Sequence, residues 1–449
     1  MTSLTDTKTE FTILKDETFR FNTGGCMKKI LVLFFIVLPL SFLSAQGTKE
    51  ASKSEVVELN FIETLASPTR TAFLQEIIAN FEKENPTIKV NLISPPYEQA
   101  ENKMTMMLNA NEPLDIVESR DATIKQLLNN GQVISLESYL ADWQHKDDFM
   151  PISWRAARIV GDTAYLLPQF YFVKGLYVRT DILKEKGISI PKTVEDLYNA
   201  SVALTDGKYS FGYAIRGKSK AWKVSQDSLS LANVPNIDMD NFYRTTDGTF
   251  SYDTSEGRAG LQRYVNLYKN AVPKDGVNWG FNEQVNAFVS GVAAFLIQDP
   301  DALPLIEDQL SRDKFTVVPI PVGEKTGVAY QDFGFQGLSI TSSSKHPDAA
   351  WKFISYLISP ENNAAFCKDY GALPVFNSSF IDDPYFSSGM YQAWNEMFNK
   401  PEIYKFVNYP ITSEKFAAWE PYQQQYMQRL LLGQISIDET ISKWKEYWQ

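Results

Sequence analysis

Residues 278–303, NWGFNEQVNAFVSGVAAFLIQDPDAL, decide the fold. Val285, Phe288 and Val289 recur at helical spacing up to Gly291, and Ala293 to Ile297 form an unbroken apolar run of strand length. A helix feeding a fully apolar strand is the repeating unit of an α/β domain whose sheet is covered on both faces. The polar residues Gln298, Asp299 and Asp301 follow the strand directly, and the aromatic pair Trp279 and Phe281 precedes the helix. Ligands of open α/β sheets sit at strand ends, and aromatic faces beside carboxylates and amides suit a sugar. The flanks with Trp279, Gln298 and Asp299 are therefore either ligand contacts or a polar turn, and 285–297 is scaffold.

Working outward, 58–63 (ELNFIE) and 88–93 (IKVNLI) read as strands separated by a helix that starts at Ser67-Pro68 and ends before Asn85-Pro86. A second helix over 97–108, a buried strand at 115–118 and a helix closed by Gly131 continue the alternation, which predicts parallel strands. The loops after Glu63 and Glu118 then share one edge of the sheet. Strands are expected at 163–167 and 175–179, bracketing Pro168-Gln169-Phe170-Tyr171. From 205 to 253 the chain reads as Gly, Ser, Asn and Asp turns around Trp222. Strands at 315–318 and 335–340 and helices at 347–358, 416–432 and 435–448 complete the chain.

The charge balance, 43 Lys and Arg against 54 Asp and Glu, gives a net charge of -11, which disfavours a nucleic-acid partner. His145 and His346 stand alone, and no HExxH, GxSxG, phosphate-cradling GxxxxGK[ST], GxGxxG or CxxC is present, so no cofactor, metal or nucleophile motif is legible. Paired carboxylates alone suffice for glycoside hydrolysis, which keeps that one enzyme class open. Met27-Lys28-Lys29 and the apolar run after it have the pattern of a secretory signal, 27–47, with cleavage after Ala45 or Gly47. Residues 1–26 then precede the signal, untranslated if translation starts at Met27 or disordered if it starts at Met1. Cys26 lies on the wrong side of the apolar run for lipid attachment, and Cys367 alone remains after processing.

Four stretches, FLQEIIANFEKENPTIKVNLI, EPLDIVES, AFVSGVAAFLIQDP and FGFQGLSITSSSKHPDAAWKFISYLISPE with YGALPV after it, resemble the extracellular solute-binding proteins of ABC importers, the family that includes maltose-binding protein. The resemblance implies an α/β, two-lobed periplasmic-binding-protein fold of type II, crossed three times by the chain near 169–174, 333–338 and 370–374. It implies lobes at 48–169 with 337–372 and at 170–336 with 373–449, joined by a hinge that closes on solute. It also implies a monomer in the periplasm or outside the cell, and the membrane subunits of an ABC importer as partners.

Carried over residue by residue, the resemblance puts Ser67 and Ser119, Arg120 and Asp121 in loops that meet solute, and Gln169, Tyr171 and Phe335 beside the crossings. Arg120 and Asp121 either chelate hydroxyls or pair with each other at the rim. Trp222 sits in a polar, glycine-broken segment and is read as functional. Trp419 is either an aromatic presented ahead of the final helix or helix core. The expected solute is a sugar or oligosaccharide stacked on indole and phenol rings. A polyamine or peptide in the same cleft, and a secreted glycoside hydrolase, are the alternatives.

Overall fold

The computed structural model describes residues 56–218 and 222–449. The expected signal at 27–47 and the segment 1–26 lie outside the described residues. In chain order the elements that build the site are β1 (Val57–Ile62), α1 (Pro68–Glu84), β2 (Ile88–Ile93), α2 (Tyr97–Asn109), β3 (Ile116–Arg120), β4 (Leu167–Phe172), β5 (Gly175–Val178) and β6 (Phe211–Ala214). They continue with α3 (Trp222–Leu231), α4 (Phe281–Val289), β7 (Ala293–Gln298), β8 (Thr316–Val318), β9 (Gly334–Ile340), α5 (Pro347–Leu357), α6 (Pro360–Tyr370), α7 (Phe416–Leu431) and α8 (Ile437–Tyr447).

Two sheets organise them. The first has the order β2-β1-β3-β9-β4, with β1 parallel to both β2 and β3 and β9 antiparallel to both its neighbours. The second has the order β8-β5-β7-β6, with β5 antiparallel to β8 and β7, and β6 parallel to β7. All six residues of β7 are buried, as expected of a strand covered on both faces. The chain passes from the first sheet to the second between β4 and β5 and returns between β8 and β9. It leaves again past Leu373, whose backbone exchanges hydrogen bonds with Tyr171. Beyond it Trp394 packs where a side chain on Gly175 of β5 would lie. Among the described residues no helix is long and apolar enough to cross a membrane.

Two local expectations need correction. The strand expected at 163–167 is β4, four residues further on, and it contains Pro168, which had read as a break. Proline lacks a ladder donor and is tolerated on edge strands and at irregularities. β4 is the edge strand, and its pairing with β9 shifts register between Gln336 and Gly337, opposite Pro168. The residue boundaries expected at 169/170 and 336/337 fall inside β4 and β9.

The second correction is α3, a helix where turns were expected. Its sequence WKVSQDSLSL shows little apolar periodicity, yet every residue of it is buried. Tertiary partners replace the missing apolar face. The Asp227 carboxylate accepts hydrogen bonds from the hydroxyls of Tyr252 (2.5 Å), Tyr243 (3.0 Å) and Tyr409 (2.9 Å) and from the Gln423 amide (3.0 Å). A buried polar group is tolerated when its hydrogen bonds are made.

Candidate functional site

A cleft of about 1030 Å³ opens between the strand ends of the two sheets. From the first sheet it takes the loop after β1 (Leu65, Ala66, Ser67), the loop after β3 (Arg120, Asp121) and Gln336 on β9. From the second it takes Arg216 after β6, Lys223 on α3, Phe281 at the start of α4 and Asp299 and Asp301 after β7. Lys174 and Asp332 reach in from the first two crossings, and Tyr370 from the third.

The floor is a strip of charges of mixed sign. Arg120 pairs with Glu101 of α2 at 2.7 Å, and Lys174 makes a short ion pair with Asp299. Lys223 is buried with its ammonium 4.0 Å above the Tyr409 ring, and no carboxylate pairs with it among the described residues. Arg216 lies over the Phe281 ring, and burial lowers its guanidinium pKa although Asp299 and Asp301 favour its charge. Burial and the neighbouring Asp299 push the Asp301 carboxyl up to about 7, against the pull of Lys174 and Arg216. Burial likewise pushes Asp332 up to about 7, opposed by Lys223 and Lys174.

Four buried polar atoms in this wall have no hydrogen-bond partner among the described residues: Arg120 Nε and Arg216 Nε, which donate, and Asp301 Oδ1 and Gln336 Oε1, which accept. A buried polar atom without a partner costs about 1–3 kcal/mol. A solute able both to donate and to accept would relieve the cost on both sides of the cleft.

Behind the wall of the first sheet lies a web of buried charge. Arg70 of α1, fully buried, ion-pairs with Glu63 at 2.5 Å and with Glu118 at a shorter distance. Its guanidinium is held above its ordinary pKa because the Glu118, Tyr370 and Glu63 oxygens outweigh the opposing effect of burial. Glu118 Oε2 accepts from the Thr64 N–H (2.5 Å), the Thr64 hydroxyl (3.1 Å), the Leu65 N–H (3.3 Å) and the Gln336 amide (3.0 Å). One carboxylate thus fixes the loop that carries Ser67 to the cleft, where Ser67 also caps α1.

Of the residues expected from sequence, Ser67, Arg120, Asp121, Asp299 and Phe335 line the cleft, with Phe335 stacked on Phe333 behind it. The remainder do not. Ser119 is fully buried and bonded to Ser339. Gln169 and Tyr171 are fully buried away from the cleft, and their neighbour Phe172 lines it instead. Successive strand residues face opposite ways, so a reading one residue out of step selects the wrong face.

Gln298 stands one layer back, hydrogen-bonded to Gln284 and to the Asp299 N–H. Trp279 donates its indole N–H to Asp275, and Phe281 takes the place expected for it. Trp222 is buried outside the wall while the next residue, Lys223, lies in it. Trp419 is packed against Tyr243, Tyr447 and Trp448, whereas Phe416 and Glu420 of the same helix reach the cleft. Lys174, Arg216, Lys223, Asp332 and Gln336 were not anticipated. A cation placed next to an aromatic or a crossing has no motif, and only Asp301, following the strand named at the outset, was within reach of sequence reasoning.

Comparison with known proteins accounts for this arrangement. Residues 66–364 match the bacterial extracellular solute-binding protein family. The chain belongs to that family. It is 26% identical over 361 residues to the protein YcjN of Escherichia coli (strain K12), covering 78% of this chain and 79% of that protein. It is 26% identical over 343 residues to the multiple sugar-binding protein of Streptococcus mutans, covering 74% and 78%. Among solved structures the GacH receptor of Streptomyces glaucescens superposes with a TM-score of 0.73 at 21% identity, over 88% of this chain and 97% of that one. The fold of this family is two-lobed, in keeping with the two sheets described above.

Proposed function

We propose that the chain captures a neutral hydroxylated solute, a sugar, oligosaccharide or polyol, in the interlobe cleft and hands it to the membrane subunits of an ABC importer. The observation that carries this is the set of four unpartnered atoms, two donors and two acceptors, divided between the two sides of the cleft. A hydroxyl donates and accepts at once, so a polyol satisfies such a set where a purely cationic or purely anionic ligand satisfies half of it. The S. mutans relative is named a sugar-binding protein, and the GacH receptor was solved in complex with acarbose. Both fit the same reading.

The lobes we assign are 56–172 with 334–372, and 175–331 with 374–449, with closure about the three crossings. The protein acts as an exported monomer in the periplasm or outside the cell, and it binds without chemistry. The cleft wall contributes Phe172, Phe281, Phe335, Tyr370 and Phe416 as stacking faces, so rings other than indole meet the solute.

Isothermal titration of the full chain with a panel of mono- and oligosaccharides and polyols, beside spermidine and a tripeptide, tests this. Heat and a raised melting temperature from at least one carbohydrate are expected. Silence from every carbohydrate, or a response to spermidine alone, would overturn the assignment. New reducing ends from an oligosaccharide would overturn the statement that the protein only binds.

A further inference from the structure

Gln336 is 1% exposed and lies in the cleft wall, yet its amide is not free to choose which end it shows. Its Nε2 donates to Glu118 Oε2 and to the Thr64 hydroxyl, each at 3.0 Å, and its Oε1 has no partner among the described residues. Thr64 donates its own hydroxyl proton to Glu118, so both neighbours of Nε2 are acceptors toward it. A carboxylate held by Arg70 has no proton to give. If the amide turned over, its oxygen would face those two acceptor oxygens and its N–H groups would take the unpartnered place of Oε1 in the cleft wall. That arrangement loses two hydrogen bonds and sets like partial charges against each other.

We propose that Glu118 is a positioning residue that locks the Gln336 amide, so that the cleft offers a carbonyl oxygen at that point and selects a solute presenting an O–H or N–H donor there. This rests on the reading of the cleft as the solute site, and it adds which side of one hydrogen bond the protein supplies. Arg70 completes the device: it holds the opposite oxygen of Glu118, leaving Oε2 for the loop and the amide. The same guanidinium lies 5.7 Å from the centre of the Tyr370 ring, so the amide, the Ser67 loop and the Tyr370 face are set from one buried point.

Glu118→Gln inverts the device. Arg70 keeps the new amide oxygen, the new NH₂ group faces Gln336, and Gln336 turns over to present Nε2 to the cleft, while the Thr64 and Leu65 N–H groups lose their acceptor and release the loop that carries Ser67. The test has two arms on the full chain. With glutamine-selective ¹⁵N labelling and no solute, the Gln336 side-chain signal is assigned by its loss in Gln336→Glu. In Glu118→Gln its amide protons should exchange with water at least tenfold faster. In the second arm the carbohydrate released from natively purified protein is titrated along with its monofluoro and monodeoxy analogues. Fluorine accepts but does not donate, so at the hydroxyl facing Gln336 the fluoro analogue should bind the parent chain at least tenfold more weakly than the sugar itself. In Glu118→Gln that penalty should fall below threefold, with the penalties retained at hydroxyls that do not meet the Ser67 loop.

An unchanged Gln336 signal, or the same fluoro penalty in both proteins, would overturn the proposal. Should Glu118→Gln not fold, the solute-free arm is read on the parent chain, where Gln336 amide protons that exchange as fast as those of an exposed glutamine would overturn the proposal. If no carbohydrate is recovered or bound, the sugar assignment fails while the solute-free arm still decides the role of Glu118.

Discussion

Two buried carboxylates, Glu118 on β3 of the first sheet and Asp227 on α3, solve the same problem by different chemistry. Each accepts at least four hydrogen bonds in a dry interior. Glu118 also has a full counter-charge in Arg70, whereas the partners hydrogen-bonded to Asp227 are neutral phenols and an amide. Burial accordingly raises the Asp227 pKa, with the Tyr252 hydrogen bond and Lys223 only partly opposing it. The pair teaches that charge here is kept where the cleft needs fixed polarity and blunted where the helix needs only support. Glu118 determines what Gln336 shows to solute; Asp227 ties three tyrosines to a helix that has no apolar face.

The largest test of that contrast removes the counter-charge. Arg70→Met leaves Glu63 and Glu118 buried without a cation, and a stability loss of about 3–5 kcal/mol in urea unfolding is expected. A loss below about 1 kcal/mol would mean that water already reaches the web. Asp227→Asn should cost less, about 1–2 kcal/mol, because phenol hydroxyls can reorient toward an amide. A cost equal to that of Arg70→Met would erase the distinction between the two centres.

Asp301 stands between them, partnered at neither extreme, and its carboxyl is pushed up to about 7 by burial and by Asp299. A solute hydroxyl donating to Oδ1 favours the ionised form, so capture releases a proton. Affinity for a neutral carbohydrate should therefore weaken by up to about tenfold for each pH unit below 7 and level off above pH 8, while Asp301→Asn keeps only the shallower dependence that Asp332 contributes. For the fold the sign reverses. The unfolded carboxyl ionises near its ordinary value of about 4 while the folded one lags, so wild-type stability relative to Asp301→Asn falls from pH 4 to about 7 and is constant above. Titration calorimetry and urea midpoints across pH 5–8.5 read both curves.

Most of the scaffold was legible because burial and periodicity coincide there. β7 is an apolar run and is buried throughout, and α1 begins at a Ser-Pro pair that caps it as expected. α3 was illegible for the opposite reason: its partners are tyrosines from distant parts of the chain, and no local pattern announces them. The cleft was half legible. Loops that follow parallel strands share an edge, and the family resemblance put Ser67, Arg120 and Asp121 in those loops; all three line the cleft. Side chains that arrive from the crossings, Lys174, Asp332 and Gln336, depend on how two sheets face each other, and a one-residue slip along β4 exchanged Phe172 for Tyr171. The tryptophans misled because an indole in polar company looks available. Trp222 and Trp419 are in fact 2% and 0% exposed.

That last fact has a spectroscopic consequence. No indole lines the cleft, so solute binding has no tryptophan to quench by contact. Emission excited at the red edge sums the nine tryptophans of the chain, among them the aromatic knot of Trp419, Trp444 and Trp448. Trp394 is different, because its indole N–H donates at 2.7 Å to the Val173 carbonyl, one residue from Lys174 in the first crossing. A solute-dependent change in fluorescence that Trp394→Phe removes, with titration heats intact, would then be a signal of movement at the first crossing rather than of contact.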